Sequence, residues 1–247
     1  MTQYLAGPET ICPTCDREYA RISQHWAKSS CDHPTVTRTS HDFLTGLLLG
    51  GGSVQGNSAN KYTTIGTRHR PLADWLYTEL DWLAHSLRRV DPPGEQGQFY
   101  RVRTHTHPAL TAYRQWYVDG RKRLPERICI DLNSRGGRVW WALAGGLQWS
   151  DPEYATTRQA TVSALDDDRA ARITAILEDI GLEPTRAGKR VQLPPKQTTA
   201  WLEWIGPPVP GVEYKWAADH QEYRTAKRDA EAIRATLAYN AASEPEW

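Results

Sequence analysis

No stretch of this chain stays apolar over the length needed to cross a bilayer, so a membrane-spanning helix is excluded. No charge of one sign prevails: 30 Lys and Arg stand against 29 Asp and Glu, a formal net charge of +1. That balance rules out a crudely basic coat and leaves any polyanion binding to local clusters of Arg and Lys. Cysteine is scarce, and three of the four fall between Cys12 and Cys31 with Cys129 alone, a distribution that suits a metal site better than a disulfide framework. No signal-peptide pattern is present, so the expected setting is a reducing cytoplasm. Disorder is excluded by what is abundant, since 11 Trp and 11 Tyr supply large apolar surfaces. At 247 residues, one large domain or two equivalent halves are both natural.

The cysteine cluster has metal-ligand spacing. Cys12 and Cys15 flank Pro13 and Thr14, His25 follows, then Cys31, with His33 close behind. Two soft thiolates on a tight knuckle, an imidazole and a third thiolate are what tetrahedral zinc requires. Tyr19 and Ile22 would form a small core and Ile22 to Trp26 a short helix presenting His25. So small a module has too little apolar area to fold alone, which makes the zinc structural. His33 is the rival of Cys31 for the fourth position. Arg17, Arg21 and Lys28 give the module a modestly basic surface.

The stretch Ser40 to Val54, SHDFLTGLLLGGGSV, has helical apolar spacing, with Ser40 as N-cap, Asp42 in the first turn and a stop at Gly50, Gly51 and Gly52. Within it, Leu44 to Gly52 resembles the nine-residue signature of the LAGLIDADG homing endonucleases. The resemblance implies two such helices packed side by side through small residues, each carrying an acid at its eighth position. Here that position is Gly51. The second copy is placed at Arg138 to Gly146, with Trp141 and Gly146 as anchors, Ala142 and Ala144 as small contact residues, and Gly145 at the acid position. The two glycines lie about ninety residues apart, a plausible size for one half of a pseudo-twofold domain.

The rest reads as two copies of one order. In the first half KYTTIGTRHRP is a strand. Pro71 to Val90 reads as a helix, with Arg88 and Arg89 complementing its C-terminal dipole. Asp91 to Gly97 is a turn-rich linker, and FYRVRTHTH a strand placing Arg101, Arg103 and His105 on one face. A helix over Pro108 to Val118 precedes a basic run, Arg121, Lys122 and Arg123; in the family a lysine of such a run lies beside the cleavage centre, and Lys122 matches it. In the second half, a loop at Asn133 to Gly137 leads into the second signature. Tyr154 to Ser163 is a strand with Thr157, Gln159, Thr161 and Ser163 on one face, chemistry suited to base edges and phosphates. Asp168 to Ile180 is a helix, KRVQLPP a strand pairing Arg190 with Gln192, and Thr198 to Ile205 a short helix. Lys215 matches a family lysine pointing at the active centre. Ala217 to Ala242 is a packing helix with a stripe of Tyr223, Ala226, Ala230, Ile233 and Leu237.

The expected fold is therefore α+β: a pseudo-twofold αββαββα domain with saddle-shaped antiparallel sheets behind a small zinc finger. The expected parts are residues 1–38, a zinc module; 39–130 and 131–216, the two halves; and 217–247, a C-terminal helix. No splicing-type residues flank the chain, so it is expected to be free-standing, and its internal pseudo-twofold symmetry makes it an expected monomer. The resemblance implies a double-stranded DNA partner and metal-assisted phosphodiester hydrolysis, yet magnesium needs carboxylates that glycine does not supply. Asp151 and Glu153 are the nearest substitutes in sequence. The expected function is sequence-specific DNA binding with cleavage lost and no catalytic residue assigned, the protein lying with the nucleoid in a prokaryotic or viral setting. The alternatives are an active endonuclease with substitute ligands, which alone would need magnesium, and an RNA-binding splicing helper of the maturase kind.

Overall fold

The computed structural model describes residues 2–7, 11–19, 21–29, 31–56, 61–91, 98–125, 130–149 and 157–243. Its contacts divide the chain into two compact units, Met1–His41 with Gly52–Tyr117, and Asp42–Gly51 with Val118–Trp247.

In the first unit, β1 (Thr2–Ala6) and α1 (Ile22–Lys28) precede α2 (Arg38–Leu49), whose first residues belong to this unit. Then come β2 (Ser53–Gln55), β3 (Tyr62–Thr67), α3 (Arg70–Glu79), β4 (Ala84–Val90), β5 (Phe99–Thr104) and a 3-10 helix, Pro108–Trp116. The strands form one antiparallel sheet in the order β1-β4-β5-β3-β2. Alternation decides its faces: Ile65, Leu87, Tyr100 and Val102 are buried on the side against which α3 packs with Leu72, Ala73 and Leu76.

The expected long helix from Pro71 to Val90 is overturned here. It stops at Glu79, Asp81 takes a positive φ of 50°, and Ala84–Val90 is a central strand bonded to β1 on one edge and β5 on the other. Leu80, Leu83 and Leu87 keep a helical spacing by coincidence, and two rows of sheet hydrogen bonds outweigh it. Arg88 and Arg89 are strand residues. The strand β1, which sequence reasoning missed, exists because β4 offers it an edge. Pro108–Trp116 is 3-10 instead of α, and Thr37, not Ser40, caps α2, its Oγ1 accepting from the Ser40 N–H at 3.2 Å.

A hairpin, β6 (Tyr117–Val118) and β7 (Arg121–Lys122), turns through Asp119 and Gly120 at positive φ. The second unit continues with α4 (Ser134–Ala144), β8 (Gly145–Trp149), β9 (Arg158–Ser163), α5 (Asp167–Asp179), β10 (Thr185–Ala187), β11 (Arg190–Leu193), α6 (Pro195–Ile205), a 3-10 turn at Glu213–Trp216 and α7 (His220–Ser243). Its sheet runs β10-β11-β9-β8. Numbered within each half, strands β2 to β5 and β8 to β11 share the spatial order 3-4-2-1, the αββαββ order occurring twice in one chain. Trp140, Trp141 and Trp201 are fully buried and meet edge-on at 6.2 and 6.5 Å, each pair contributing about 0.5–1.5 kcal/mol beyond its area.

Residues 42–49 of α2 pack on α4 inside the second unit. A Cβ on Gly46 would fall within the Gly136 carbonyl and 2.9 Å from Val139 Cβ, and one on Gly50 would stand 2.6 Å from Leu143 Cβ. The seam therefore includes Gly136, Val139 and Leu143 of α4. Asn133, expected in a loop, caps α4 by accepting the Gly136 N–H at 2.9 Å, and its amide donates to the Asp42 carboxylate. Gly136 and Gly137 are thus helical: one lets the helices touch, the other makes room for Trp201, Trp204 and Ile205 of α6. The helix α7 is mostly exposed, with Ala230 buried and Ile233 open to solvent, so the expected packing stripe is only partly used.

Candidate functional site

On the open face of the first sheet, register places Tyr4, Arg88, Arg101 and Gly66 side by side across β1, β4, β5 and β3. The next row is Ser86, Arg103, Thr64 and Ser53. Guanidinium groups lie over rings: Arg88 over Tyr4 and Arg103 over Tyr62, both at 3.8 Å, and Arg101 over Phe99 at 5.3 Å. Arg88 faces Arg101 directly, and like charges so placed oppose folding. The Arg88 pKa is lowered by burial and then by Arg103 and Arg101. Among the described residues no carboxylate pairs with these three arginines. Such a face can accept an anion.

His105 does not share it. It follows the strand, is 1% exposed, and faces Trp26 and His85, with its pKa pulled down to about 4 by burial, then by His85 and Arg103. Arg88 and the aromatic partners Tyr4, Tyr62 and Phe99 were missed, because Arg88 lay in a misassigned helix and β1 was not seen.

The open face of the second sheet has another chemistry. Gly146, Thr161, Gln192 and Thr185 form one row, Gln148 and Gln159 a second, and Ser163 with Arg190 a third. Gln148 Oε1 accepts from both Arg190 and Gln192 at 3.2 Å. Ala160, Val162, Val191 and Leu193 are buried on the reverse. The structure thus gathers Gln159, Thr161, Arg190 and Gln192 on one face, while Thr157 precedes the strand and is exposed. Arg158 turns the other way and donates to the carbonyls of Trp216, at 3.1 Å, and Ala217.

The lysines matched to the family point inward. Lys122 Nζ donates to the Leu48 carbonyl, and Lys215 Nζ donates to that of Ala142 at 2.7 Å. Leu48 and Ala142 are both three residues before the acid positions, so the lysines hold the same station on each helix. Burial, and secondarily Arg169, draws Lys122 down to about 7; burial draws Lys215 down to about 8. Lys215 is only 8% exposed, and as they stand both lysines make helix-end contacts. Arg121 and Arg123 remain exposed, since strand alternation turns Lys122 the other way.

At the positions matched to the family's acids, Gly51 has a φ of 114° and open space around it, whereas a Cβ on Gly145 would overlap the Trp141 indole. That ring is held by donating to the Lys215 carbonyl at 3.2 Å. Both glycines present only backbone oxygens, which do not fit a hard divalent ion demanding carboxylates. Asp151 and Glu153 lie outside the described residues.

In the first unit the ligand atoms of Cys12, Cys15, His25 and Cys31 lie within 4.8 Å of one another, the only such group of three or more among the described residues. Cys12 Sγ is 3.8 Å from Cys31 Sγ, and Cys15 Sγ is 3.5 Å from His25 Nε2. Ser29 Oγ meets His25 Nδ1 at 3.1 Å, Tyr19 stacks on the imidazole at 3.7 Å, and the Trp26 indole donates to Cys12 Sγ at 3.3 Å. His33 instead packs its ring against Trp26 and His107. Burial would raise the Cys12 thiol, but hydrogen bonds from the Thr14 and Cys15 backbone and from Trp26 bring it down to about 6. Cys31 is pushed up to about 11 by burial and by the neighbouring thiols. Three thiols so placed cannot all ionise without a cation among them, and the cluster can hold a metal ion. Cys129 lies outside the described residues.

The sequence profile of the LAGLIDADG DNA endonuclease family matches residues 41–189. The chain belongs to that family. Among solved structures, the homing endonuclease I-WcaI bound to its DNA recognition sequence aligns with a TM-score of 0.64 at 14% identity, over 79% of this chain and 92% of that one. At this identity the likeness concerns the fold. The meganuclease I-AabMI bound to uncleaved DNA gives 0.45 at 8%, over 79% and 92%, and full-length DUF199/WhiA from Thermatoga maritima gives 0.45 at 12%, over 90% and 73%. A comparison with curated proteins finds no match. The LAGLIDADG fold accounts for the repeated element order, and no helix among the described residues is long and apolar enough to cross a membrane.

Proposed function

We propose that this LAGLIDADG protein binds double-stranded DNA through the open faces of its two sheets, and that it binds without cutting. The carrying observation is the arginine face of the first sheet, where Arg88, Arg101 and Arg103 crowd together with aromatic rings and no acid among the described residues to balance them. Phosphate oxygens relieve that crowding, and the energy follows salt because counterions are displaced. Arg121 and Arg123 would extend the cationic contacts. The second sheet, dominated by Gln and Thr with Arg190, supplies donors and acceptors for base edges, so charge would fall to one half and reading to the other.

Loss of cleavage is supported by the glycines at both acid positions and by the indole occupying the space beside Gly145. Zinc is the proposed ion of the cysteine cluster: with Zn–S near 2.3 Å and Zn–N near 2.05 Å, tetrahedral geometry separates two sulfurs by about 3.8 Å and sulfur from nitrogen by about 3.5 Å. The proposed organisation is a zinc module over 1–38, halves over 39–130 and 131–216, and a C-terminal helix over 217–247, working as a monomer.

The test is selection of bound duplexes from random DNA, followed by incubation of the selected duplex with magnesium or manganese. Retention of a defined sequence with intact strands is the expected result. Site-specific double-strand breaks would overturn the loss of cleavage, and tighter binding to structured RNA than to any duplex would overturn the choice of partner.

A further inference from the structure

The metal cluster and the arginine face are joined by β1. That strand ends at Ala6, and Cys12 follows across a short connection. One row of the arginine face begins on it with Tyr4, which is 55% exposed and lies under the Arg88 guanidinium. As an edge strand, β1 is bonded on one side only, to β4. Beyond its ladder, the hydroxyl of Tyr77 on α3 donates to the Gly7 carbonyl just past its end.

Cys12 itself is held within the cluster. Cys12, Ile22 and Trp26 form a small buried core onto which Cys15, Tyr19, Cys31 and Trp82 pack. Trp26, which donates to Cys12 Sγ, lies edge-on to Trp82 at 6.0 Å, to His105 at 5.7 Å and to His107 at 6.5 Å, residues that all follow α3 or β5. On the exit side, His107 accepts from the Ala109 N–H through Nδ1, which leaves its proton on Nε2, and Nε2 donates to the Pro34 carbonyl at 2.9 Å. The module is thus clamped to the sheet end through Trp26 and His107. So small a module depends on the ion for its fold, and losing the ion would loosen Cys12 from Trp26.

We infer that the metal at Cys12, Cys15, His25 and Cys31 sets the strength of duplex binding by fixing β1, with Tyr4 as a positioning residue that holds Arg88 in its binding orientation. This rests on the reading of the arginine face as the DNA contact. Loss of the ion frees β1 from the edge of β4 and leaves Arg88 unsupported, while the Gln and Thr face of the second unit keeps its structure.

The experiment uses the full chain loaded with zinc, the same chain stripped by a chelator, and Tyr4→Ala in both states, with a mixed-sequence duplex as probe. Hydrogen exchange should show β1 amides protected with zinc and open without it, β9 and β11 remaining protected in both. Stripping should weaken duplex binding about fivefold, Tyr4→Ala should do the same in the loaded protein, and the substitution should add nothing after stripping. Protection of β1 that survives zinc removal, or losses from stripping and from Tyr4→Ala that simply multiply, would overturn the coupling. A loaded protein that binds no duplex, with β1 still released by the chelator, would sink the DNA reading and leave the metal-to-strand link standing.

Discussion

The seam between α2 and α4 permits a sharp test, because steric space there is set by single atoms. A methyl group on Gly50 would stand 2.6 Å from Leu143 Cβ, about 1 Å inside the ~3.5–4.0 Å optimum for carbon pairs. Gly50 lies just past the last residue of the helix, so alanine gains little helix propensity there. Overpacking of this kind costs about 1–3 kcal/mol, so Gly50→Ala should destabilise the protein by about 2 kcal/mol. Leu143→Ala removes the group that would be struck; its own cost belongs at the low end of about 2–5 kcal/mol, because Leu143 is only half-buried. Combining the two abolishes the clash, and the double variant should be more stable than the sum of single losses by about 1–2 kcal/mol. Urea titration of all four proteins with matched m-values is the assay. Additive losses would mean that the helices slide apart freely and that the seam is not set by Gly50 against Leu143.

Replacing Arg88 by Gln should leave the free protein about 0.2–1 kcal/mol more stable, by removing a like charge opposite Arg101, while weakening duplex binding and shallowing its salt slope by about one; urea midpoints and salt-dependent titrations check the two signs. His105 titrates near 4 when folded, below its ordinary 6.5, so the unfolded chain binds its proton first; stability should be full above 6.5 and fall toward pH 4 by up to about 3 kcal/mol. His105→Leu should flatten that slope, read as its difference from the parent so that protonation of the cysteine cluster cancels. Gly145→Asp should unfold the protein at lower urea than Gly51→Asp does, since the first meets the Trp141 ring and the second only an unfavourable φ, and a nuclease assay of the pair together should stay blank.

The signature helix was legible because apolar spacing, a cap and a glycine stop all agree over one short run, and the Cys/His cluster because thiol spacing leaves few alternatives. The strand β4 was not, since Leu80, Leu83 and Leu87 satisfy a helical period and a strand equally, and only the neighbours β1 and β5 decide between them. For the same reason Arg88 was assigned to a helix end when it lies at the centre of the cationic face. The alternation on β9 and β11 was readable, because there each buried Ala, Val or Leu is flanked by an open polar residue. No pattern in one dimension could report that Lys122 and Lys215 point at the helix carbonyls, or that His105 turns away from the arginines just beyond its strand.

The indole beside Gly145 also limits what can replace that glycine. Trp141 is packed edge-on to Trp201 and Trp216 as well as filling the place where a carboxylate would go. An acid at 145 alone collides with the ring, and a smaller residue at 141 alone opens a cavity in the middle of a tryptophan cluster. Each step is harmful until the other has been taken, so an acid can enter at 145 without loss only together with a smaller residue at 141.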